Sequence, residues 1–366
     1  MTTSERAQTM TQPDTVENGR DEAGDPGPRT GSHALDAGIR AVLRPEPWRR
    51  GLIVAALAVL LGLLIALHAM IPNRIGNLGS LVETFLPWFG LLIPVLLAGA
   101  LWRRSASATA ALLLPVMAWL NLFGGHLLDK STSGGDLTVT SHNVGAVNPE
   151  PARTARALAA SDADVLALQE LTRQTRATYE RELAAAYPHH TVQGTVGLWS
   201  KLPLSNTHPV DIQMDYGPLA ATKPAATKMS YNRALRTTVT TDQGPLAVYV
   251  AHLGSARVNP RAGFWTTHRD RGAKALAEAI AAEPNERVVL LADLNGSLND
   301  RAFNDITAQL RSTHDAAGTG FHFTWPAKFP LIRIDHILTR GVTPKSASVL
   351  PPTPSDHRPI TTAITW

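Results

Sequence analysis

Cysteine is absent from this 366-residue chain. Disulfides, thiolate zinc sites, iron–sulfur clusters and cysteine nucleophiles are thereby excluded, and any metal must be held by oxygen or imidazole. Charge is scarce as well. Only 17% of residues are Asp, Glu, Lys or Arg, and the net +4 is too small an excess to argue by itself for nucleic-acid binding. No glycine-rich phosphate loop, Gly-x-Ser-x-Gly elbow or His-Glu-x-x-His zinc motif occurs. The N-terminus does not read as a cleavable signal peptide, because the first apolar run begins only at Gly51.

What is present divides the chain into three regions. Residues 1–45 are rich in Thr, Glu, Asp, Gly and Pro, as in Asp25-Pro26-Gly27-Pro28. Such a stretch buries too little apolar surface to offset its chain entropy, and it reads as a disordered cytoplasmic tail. Residues 46–128 read as a three-helix transmembrane region. Uncharged runs of 23, 19 and 24 residues lie between Arg50 and Arg74, Glu83 and Arg103, and Arg104 and Asp129. About 20 apolar residues suffice to cross a hydrocarbon core. Arg40, Arg44, Arg49 and Arg50 precede the first run, and Arg103 and Arg104 separate the second from the third, whereas the first connector carries only Arg74. Cations of short loops stay inside, so the expectation is a multi-pass plasma-membrane protein with everything after Leu128 outside the cytoplasm.

Residues 129–366 alternate strand-like with helix-like runs, which predicts an α/β domain. Strands are expected at Asp136–Asn143, Asp164–Gln169, Thr191–Trp199, Ala234–Thr241, Leu246–His252, Arg287–Leu291, Ile332–Leu338 and Ile360–Thr365. Helices are expected from Pro151, over Thr172–Ala186 and over Ala273–Ala282. The polar residues at the ends of the apolar runs carry the chemistry: Asn143, Glu170, His252, Asp293 and Asn295, Asp335, and Asp356-His357. Singly, each reads as a solvated loop residue, a cap or a structural histidine. Six such placements in one domain read as a site gathered at one edge of packed sheets. Oxygen donors without sulfur suit Mg²⁺ or Mn²⁺. His357 beside Asp335 makes an oriented base or a phosphate clamp. The inventory points to metal-assisted hydrolysis of a phosphate ester.

In their order, these motifs resemble the endonuclease/exonuclease/phosphatase superfamily from about Leu137 to Ile364. Asn143 and the Gln169-Glu170 pair match the first-strand asparagine and the metal-binding glutamate. Gly197 to Leu204 resembles a Gly-x-x-Ser-Arg-x-Pro stretch, with Lys201 in place of Arg. Arg236 lies where many members carry a basic residue. Ala251-His252-Leu253 stands for Thr-His-Leu, Ala292-Asp293-Leu294-Asn295 for Gly-Asp-Phe-Asn, and Ser355-Asp356-His357 for the terminal Ser-Asp-His. Trp325-Pro326 resembles a common Thr-Trp-Pro element.

The resemblance implies a four-layered α/β sandwich, two facing β-sheets flanked by helices, behind three transmembrane helices. It implies in-line attack by water. Glu170 would hold Mg²⁺ (or Mn²⁺) with Asn143 and Asp356, and Asp293 with Asn295 would position or deprotonate the water. His357, oriented by Asp335, would stabilise phosphoryl charge, and His252 would contact or protonate the leaving oxygen. Arg236, Asn143 and Asn295 are the expected substrate-binding residues. Three spans ahead of such a domain also resemble the VanJ-type membrane proteins of actinomycetes, associated with teicoplanin-class glycopeptide resistance.

A tether to the bilayer favours a lipid-linked, phosphate-containing cell-envelope substrate. An anchored nuclease is the alternative. However, 23 Lys+Arg against 20 Asp+Glu after Lys130 leave no excess to track a polyanion, so no stable nucleic-acid partner is expected. A non-catalytic lipid- or antibiotic-binding module is the alternative of another class. The Asp211–Asn232 segment, with Met214, Tyr216, Lys223, Lys228, Met229 and Tyr231, reads as a substrate or membrane-surface loop. Phe264 and Trp265 among Arg257, Arg261, Arg269 and Arg271 invite the same reading.

Overall fold

The structure is a computed structural model and describes residues 48–212 and 232–366. The expected disordered tail and most of the Asp211–Asn232 segment lie outside the described residues.

The strands run in order as β1 (Leu137–Asn143), β2 (Val165–Gln169), β3 (His189–Gln193), β4 (Val196–Ser200) and β5 (Leu204–Pro209). Next come β6 (Ala234–Thr241), β7 (Gly244–His252) and the short hairpin β8 (Arg257–Asn259) and β9 (Gly263–Trp265). The remainder are β10 (Val288–Asp293), β11 (Arg311–Ser312), β12 (Asp335–Arg340), β13 (Thr343–Val349) and β14 (Ile360–Thr365). One six-stranded sheet has the order β13-β14-β1-β2-β4-β3, and the other β11-β12-β10-β7-β6-β5. Both are mixed: β1 pairs β2 in parallel and β14 antiparallel, and β10 pairs β7 in parallel and β12 antiparallel.

Period-2 alternation sorts the side chains into layers. Val139, Val165, Leu198, Leu235, Val250, Leu291 and Ile337 fill the space between the sheets. Intervening residues face the helices. Leu166, Leu168 and Trp199 pack under the Pro151–Ala159 and Arg173–Leu183 helices, and Tyr249 and Leu290 pack under the Thr267–Ala281 helix. The result is the expected α/β/β/α sandwich.

Where the expected elements shift, turn geometry explains it. Thr191–Trp199 is not one strand but the β3–β4 hairpin, because Gly194 takes the left-handed conformation (φ 61°) that reverses the chain. Strand β12 begins three residues later than Ile332, since the Ile332 carbonyl is taken by Thr324 and Trp325 N–H groups.

The N-terminal apolar region differs from three uniform spans. By length and composition, one helix, Ala106–Leu127, is able to cross a membrane. A second candidate is the pair Leu78–Thr84 and Leu86–Trp102, bent by 66° at its break, and Leu52–Ala66 is a shorter apolar helix of 15 residues. Ala58, Ala100, Ala108 and Leu112 form the contact between these helices, while larger side chains such as Ile53, Leu60, Val95, Leu113 and Met117 point outward.

The connector between the first and second apolar runs, together with the start of the second run, docks on the sandwich. Asn77 Nδ2 donates to the Phe264 carbonyl (2.8 Å), the Phe264 N–H to the Gly76 carbonyl (2.8 Å), and Trp88 Nε1 to the Leu331 carbonyl (2.8 Å). Gly76 and Gly263 allow this approach, because a Cβ on Gly263 would lie 2.5 Å from Gly76 Cα. Glu83, read from sequence as the charged boundary of a span, is instead buried against Arg301 (Oε1 to Nη2, 2.7 Å). The sandwich and the apolar helices are thus joined by more than the Ser131–Gly135 stretch that links them in the chain.

Candidate active site

Strand alternation also places the polar cluster. Asn143, Gln169, His252, Asp293 and Asp335 share parity with the inter-sheet residues of their strands and sit at the same end of the sandwich. Register pairs Asp293 with His252 on one side and with Asp335 on the other. The rim of the inter-sheet core is therefore polar, and the two sheets hold its geometry.

Asp293 is at the centre. It is fully buried, and its Oδ2 accepts from Asn143 Nδ2 (2.8 Å) and Asn295 Nδ2 (3.4 Å), while its Oδ1 accepts from the Asn295 N–H (2.9 Å). His357 Nδ1 lies 2.9 Å from Asp335 Oδ2, and its Nε2 lies 4.0 Å from Asp293 Oδ2. His252 Nε2 is 3.5 Å from both Asp293 Oδ2 and Glu170 Oε1. Glu170 is half-buried, and its Oε2 accepts from the Ala146 N–H (2.7 Å). Glu170 and Asn295 both adopt positive φ (62° and 52°), a conformation that non-glycine residues seldom take and that recurs where structure imposes a functional geometry.

The electrostatics separate the two histidines. Burial alone would lower the His357 pKa, but the carboxylates of Asp335, Asp293 and Asp356 outweigh it and push it up to about 10. Burial, with the positive charges of Arg233 and His357, holds His252 well below the ordinary imidazole range. Asp293 is raised by its burial and by Asp335, against the opposing charge of His357. At neutral pH, His357 is a cation and His252 a neutral imidazole.

Seven expected residues meet at this rim: Asn143, Glu170, His252, Asp293, Asn295, Asp335 and His357. Asp356 is exposed beside them, with Oδ2 accepting weakly from Trp325 Nε1 (3.4 Å). Arg236 is a correction. It shares the outer face of β6 with Ala234, opposite Tyr249, and its Nε and Nη2 bind the Glu283 carboxylate at 2.9 Å each. The residue that sequence reasoning missed is Arg233, whose guanidinium contacts the His252 ring and donates from Nε to the His252 carbonyl (3.0 Å). Lys201 is occupied by Asp162 and Asp164, and Arg269 is a fully buried partner of Asp270 and Asp300.

The donor set fits a hard divalent cation. Glu170, the Asn143 amide oxygen and the exposed Asp356 carboxylate offer oxygen donors without sulfur at the rim. They lie beside the Asp293–Asp335–His357 group, whose atoms come within 4.8 Å of one another and whose cationic His357 offers no lone pair to a metal. Asp293 and Asp335 are also two buried carboxylates side by side, which a nearby cation relieves.

The family model for the endonuclease/exonuclease/phosphatase family matches residues 120–357, well over half of the chain. The chain belongs to that family. Among solved structures, SmcL aligns at 18% identity over 63% of this chain and 99% of its own, with a TM-score of 0.50. The family protein from Bacteroides vulgatus aligns at 15% identity over 64% and 100%, also at 0.50. Beta toxin from Staphylococcus aureus, in a form with bound magnesium ions, aligns at 16% over 62% and 99%, at 0.47. At these identities the likeness concerns the fold. No curated protein matches the sequence.

Proposed function

We propose that this protein is a membrane-anchored, divalent-metal-dependent phosphoesterase that hydrolyses a phosphate ester or pyrophosphate of a lipid-linked cell-envelope substrate outside the cytoplasm. The observation that carries the chemistry is the Asp293-centred cluster, in which a buried carboxylate, a cationic His357 and a neutral His252 face one rim. Asp293, raised by burial, takes a proton from a water that Asn295 and Asn143 help to position. His357, held charged by Asp335, stabilises negative charge growing on the phosphoryl oxygens. His252, neutral and steadied by Arg233, donates a hydrogen bond to the leaving oxygen, which takes its proton from solvent as it departs, while the proton taken up by Asp293 is returned to solvent. Glu170, Asn143 and Asp356 are the ligands assigned to Mg²⁺ or Mn²⁺, which when bound offsets charge on the phosphate.

The membrane placement is supported by helices that bury alanines and turn their larger apolar side chains outward, the reverse of a soluble bundle. Exposed Val258 and Trp265 on the β8–β9 hairpin, next to the docked Gly76, add apolar surface at the same end. A contribution to glycopeptide resistance belongs to this reading and is checked by teicoplanin susceptibility after gene deletion.

The test is phosphate release by the full-length protein with Mg²⁺ or Mn²⁺, across polyprenyl pyrophosphate, phospholipids, inositol phosphates and DNA. A lipid-linked phosphate should be the best substrate, and excess chelator should abolish turnover. Full activity in chelator overturns the metal dependence, and preference for DNA favours the nuclease alternative.

A further inference from the structure

Two cavities meet where the apolar helices dock on the sandwich. One, of about 510 Å³, is walled by Trp88, Leu91, Ile93, Val116, Trp119 and Leu120 and closed by Phe321 and Phe323. The other, of about 480 Å³, shares Pro87, Phe321 and Phe323 with the first and is the more polar of the two: beside apolar walls such as Leu122, Leu310 and Ile332 it is lined by Lys130, Arg311 and Arg333 and by a single carboxylate, Asp315. Both volumes fall in the range of small-molecule sites.

The polar chamber holds two buried nitrogens without hydrogen-bond partners, Arg333 Nη1 and His126 Nδ1. A buried donor left unpaired is costly, and its usual explanation is a group that binds there. His126, His314 and Asp315 come close enough to suggest a metal. The neighbourhood argues otherwise: Arg333 Nη2 already sits on Asp315 Oδ1 (3.3 Å), and His314 Nε2 is bonded to the Gly320 carbonyl (2.9 Å). Burial pulls Arg333 down only to about 10, so it keeps its charge at neutral pH. This excess of cations suits an anion better than a metal ion.

From this juxtaposition of an apolar chamber and a cationic one that share three walls, we infer that the seam binds an anionic phospholipid. Its phosphate sits among Lys130, Arg311 and Arg333, and its acyl chain lies between the second and third apolar helices under Phe321 and Phe323. The occupant is argued from charge, three cations against one carboxylate, and from place. The apolar chamber opens along helices that present large hydrophobic side chains outward, at the end where they meet the sandwich. The segment that closes the chamber continues to Trp325, which contacts Asp356 at the catalytic rim, and to Leu331, which accepts from Trp88. A lipid in the seam would therefore brace the loop that flanks the active site. This inference rests on the membrane placement proposed above but not on the hydrolysis.

The experiment uses the delipidated full-length protein carrying His357→Ala, so that turnover plays no part. Retention of dioleoyl phosphatidylglycerol and dioleoyl phosphatidylcholine from neutral detergent is read by native mass spectrometry. Phosphatidylglycerol should be retained at least tenfold more strongly, and Lys130→Glu with Arg311→Glu should erase the preference while leaving the circular dichroism unchanged. Because Arg311 is exposed, Arg311→Glu alone reports the same loss, in part, if the double variant fails to fold. Phe321→Ser should weaken retention of both lipids. Equal retention of the two lipids by the His357→Ala protein overturns the inference. So does an unaltered preference in the charge-reversed variants, or complete displacement of lipid by equimolar inorganic phosphate. Selective retention by a protein that hydrolyses none of the substrates offered supports the seam and sinks only the proposed reaction.

Discussion

His357 and Asp335 define the chemistry at the scale of single residues. Because the aspartates hold His357 up to about 10, its cation stabilises the folded site below the ordinary imidazole range, and that contribution is lost as pH rises through about 10. In the proposed reaction the productive form is also the cation, so kcat/KM should fall on the alkaline side with an apparent pKa near that value. Asp335→Asn removes the nearest carboxylate and should move this limb at least one pH unit towards the ordinary value of about 6.5. A pH profile with an unmoved limb would show that the pair does not set the charge of His357. His357→Ala should cost on the order of a hundredfold or more in kcat. Combined with Asp335→Asn, it should cost little extra, since both act through one imidazole. Arg236 predicts the opposite division. Its pair with Glu283 is almost wholly buried, so Arg236→Ala leaves a buried carboxylate with only the Tyr249 hydroxyl and the Asn285 N–H groups and should cost about 3 kcal/mol of stability. Denaturant melts should show that loss, with activity per folded molecule retained; Arg233→Ala should instead lower activity and leave the melt nearly unchanged.

At the scale of elements, Arg233 and Arg236 show why the site was only partly legible in the sequence. Two residues three apart on an extended chain lie on opposite faces, and the run Arg233-Ala234-Leu235-Arg236 does not itself say which face meets the other sheet. Asn143, Glu170, His252 and Asp293 were legible because each ends or follows a clear apolar run, and the apolar runs of β1, β2, β7 and β10 set the parity that turns their ends towards the rim. Short elements without a strong alternation, such as β5, β8, β9 and β13, carried no such signal. The docking of the Ile71–Leu91 region was equally invisible, since its partners lie more than 180 residues away in the chain. Glu83 and Arg301 are the sharpest example: a charged residue that read as the edge of a span is a buried ion-pair partner of the second domain. Glu83→Ala should leave Arg301 short of its main acceptor and loosen the seam, exposing the Ser131–Gly135 linker. Limited proteolysis should then cut that linker at least several times faster, while the sandwich keeps its own melting transition. Cleavage at the unaltered rate would mean that the hydrogen bonds of Asn77 and Trp88 hold the seam without the ion pair.

For the whole molecule, the arrangement of charge bears on the membrane placement proposed above. Ser105 Oγ donates to the Arg50 carbonyl, and a Cβ on Gly51 would lie 3.5 Å from Arg103 Cβ, so the arginines before the first helix and those between the second and third gather at one end. The opposite end carries the docked segment around Gly76 and Asn77 and the chain's exit near Leu127 into the sandwich. Under the membrane placement proposed above, retention of short-loop cations inside would put Arg49, Arg50, Arg103 and Arg104 in the cytoplasm and the sandwich outside. The Leu52–Ala66 helix spans only about 22 Å at 1.5 Å per residue, less than the roughly 30 Å of hydrocarbon. In the proposed placement, its continuation through His68–Met70 and local thinning of the bilayer would compensate for so short a helix. Alkaline phosphatase fused after Trp366 should accordingly be active, and a fluorescent protein that matures only in the cytoplasm should stay dark at the same position. Replacing Arg103 and Arg104 by Asn, with Lys added beside Arg74, weakens the asymmetry and should send a measurable fraction of molecules into the inverted orientation. A reporter active only in the cytoplasm from the outset would place the rim inside the cell and remove outer-leaflet lipids from its reach.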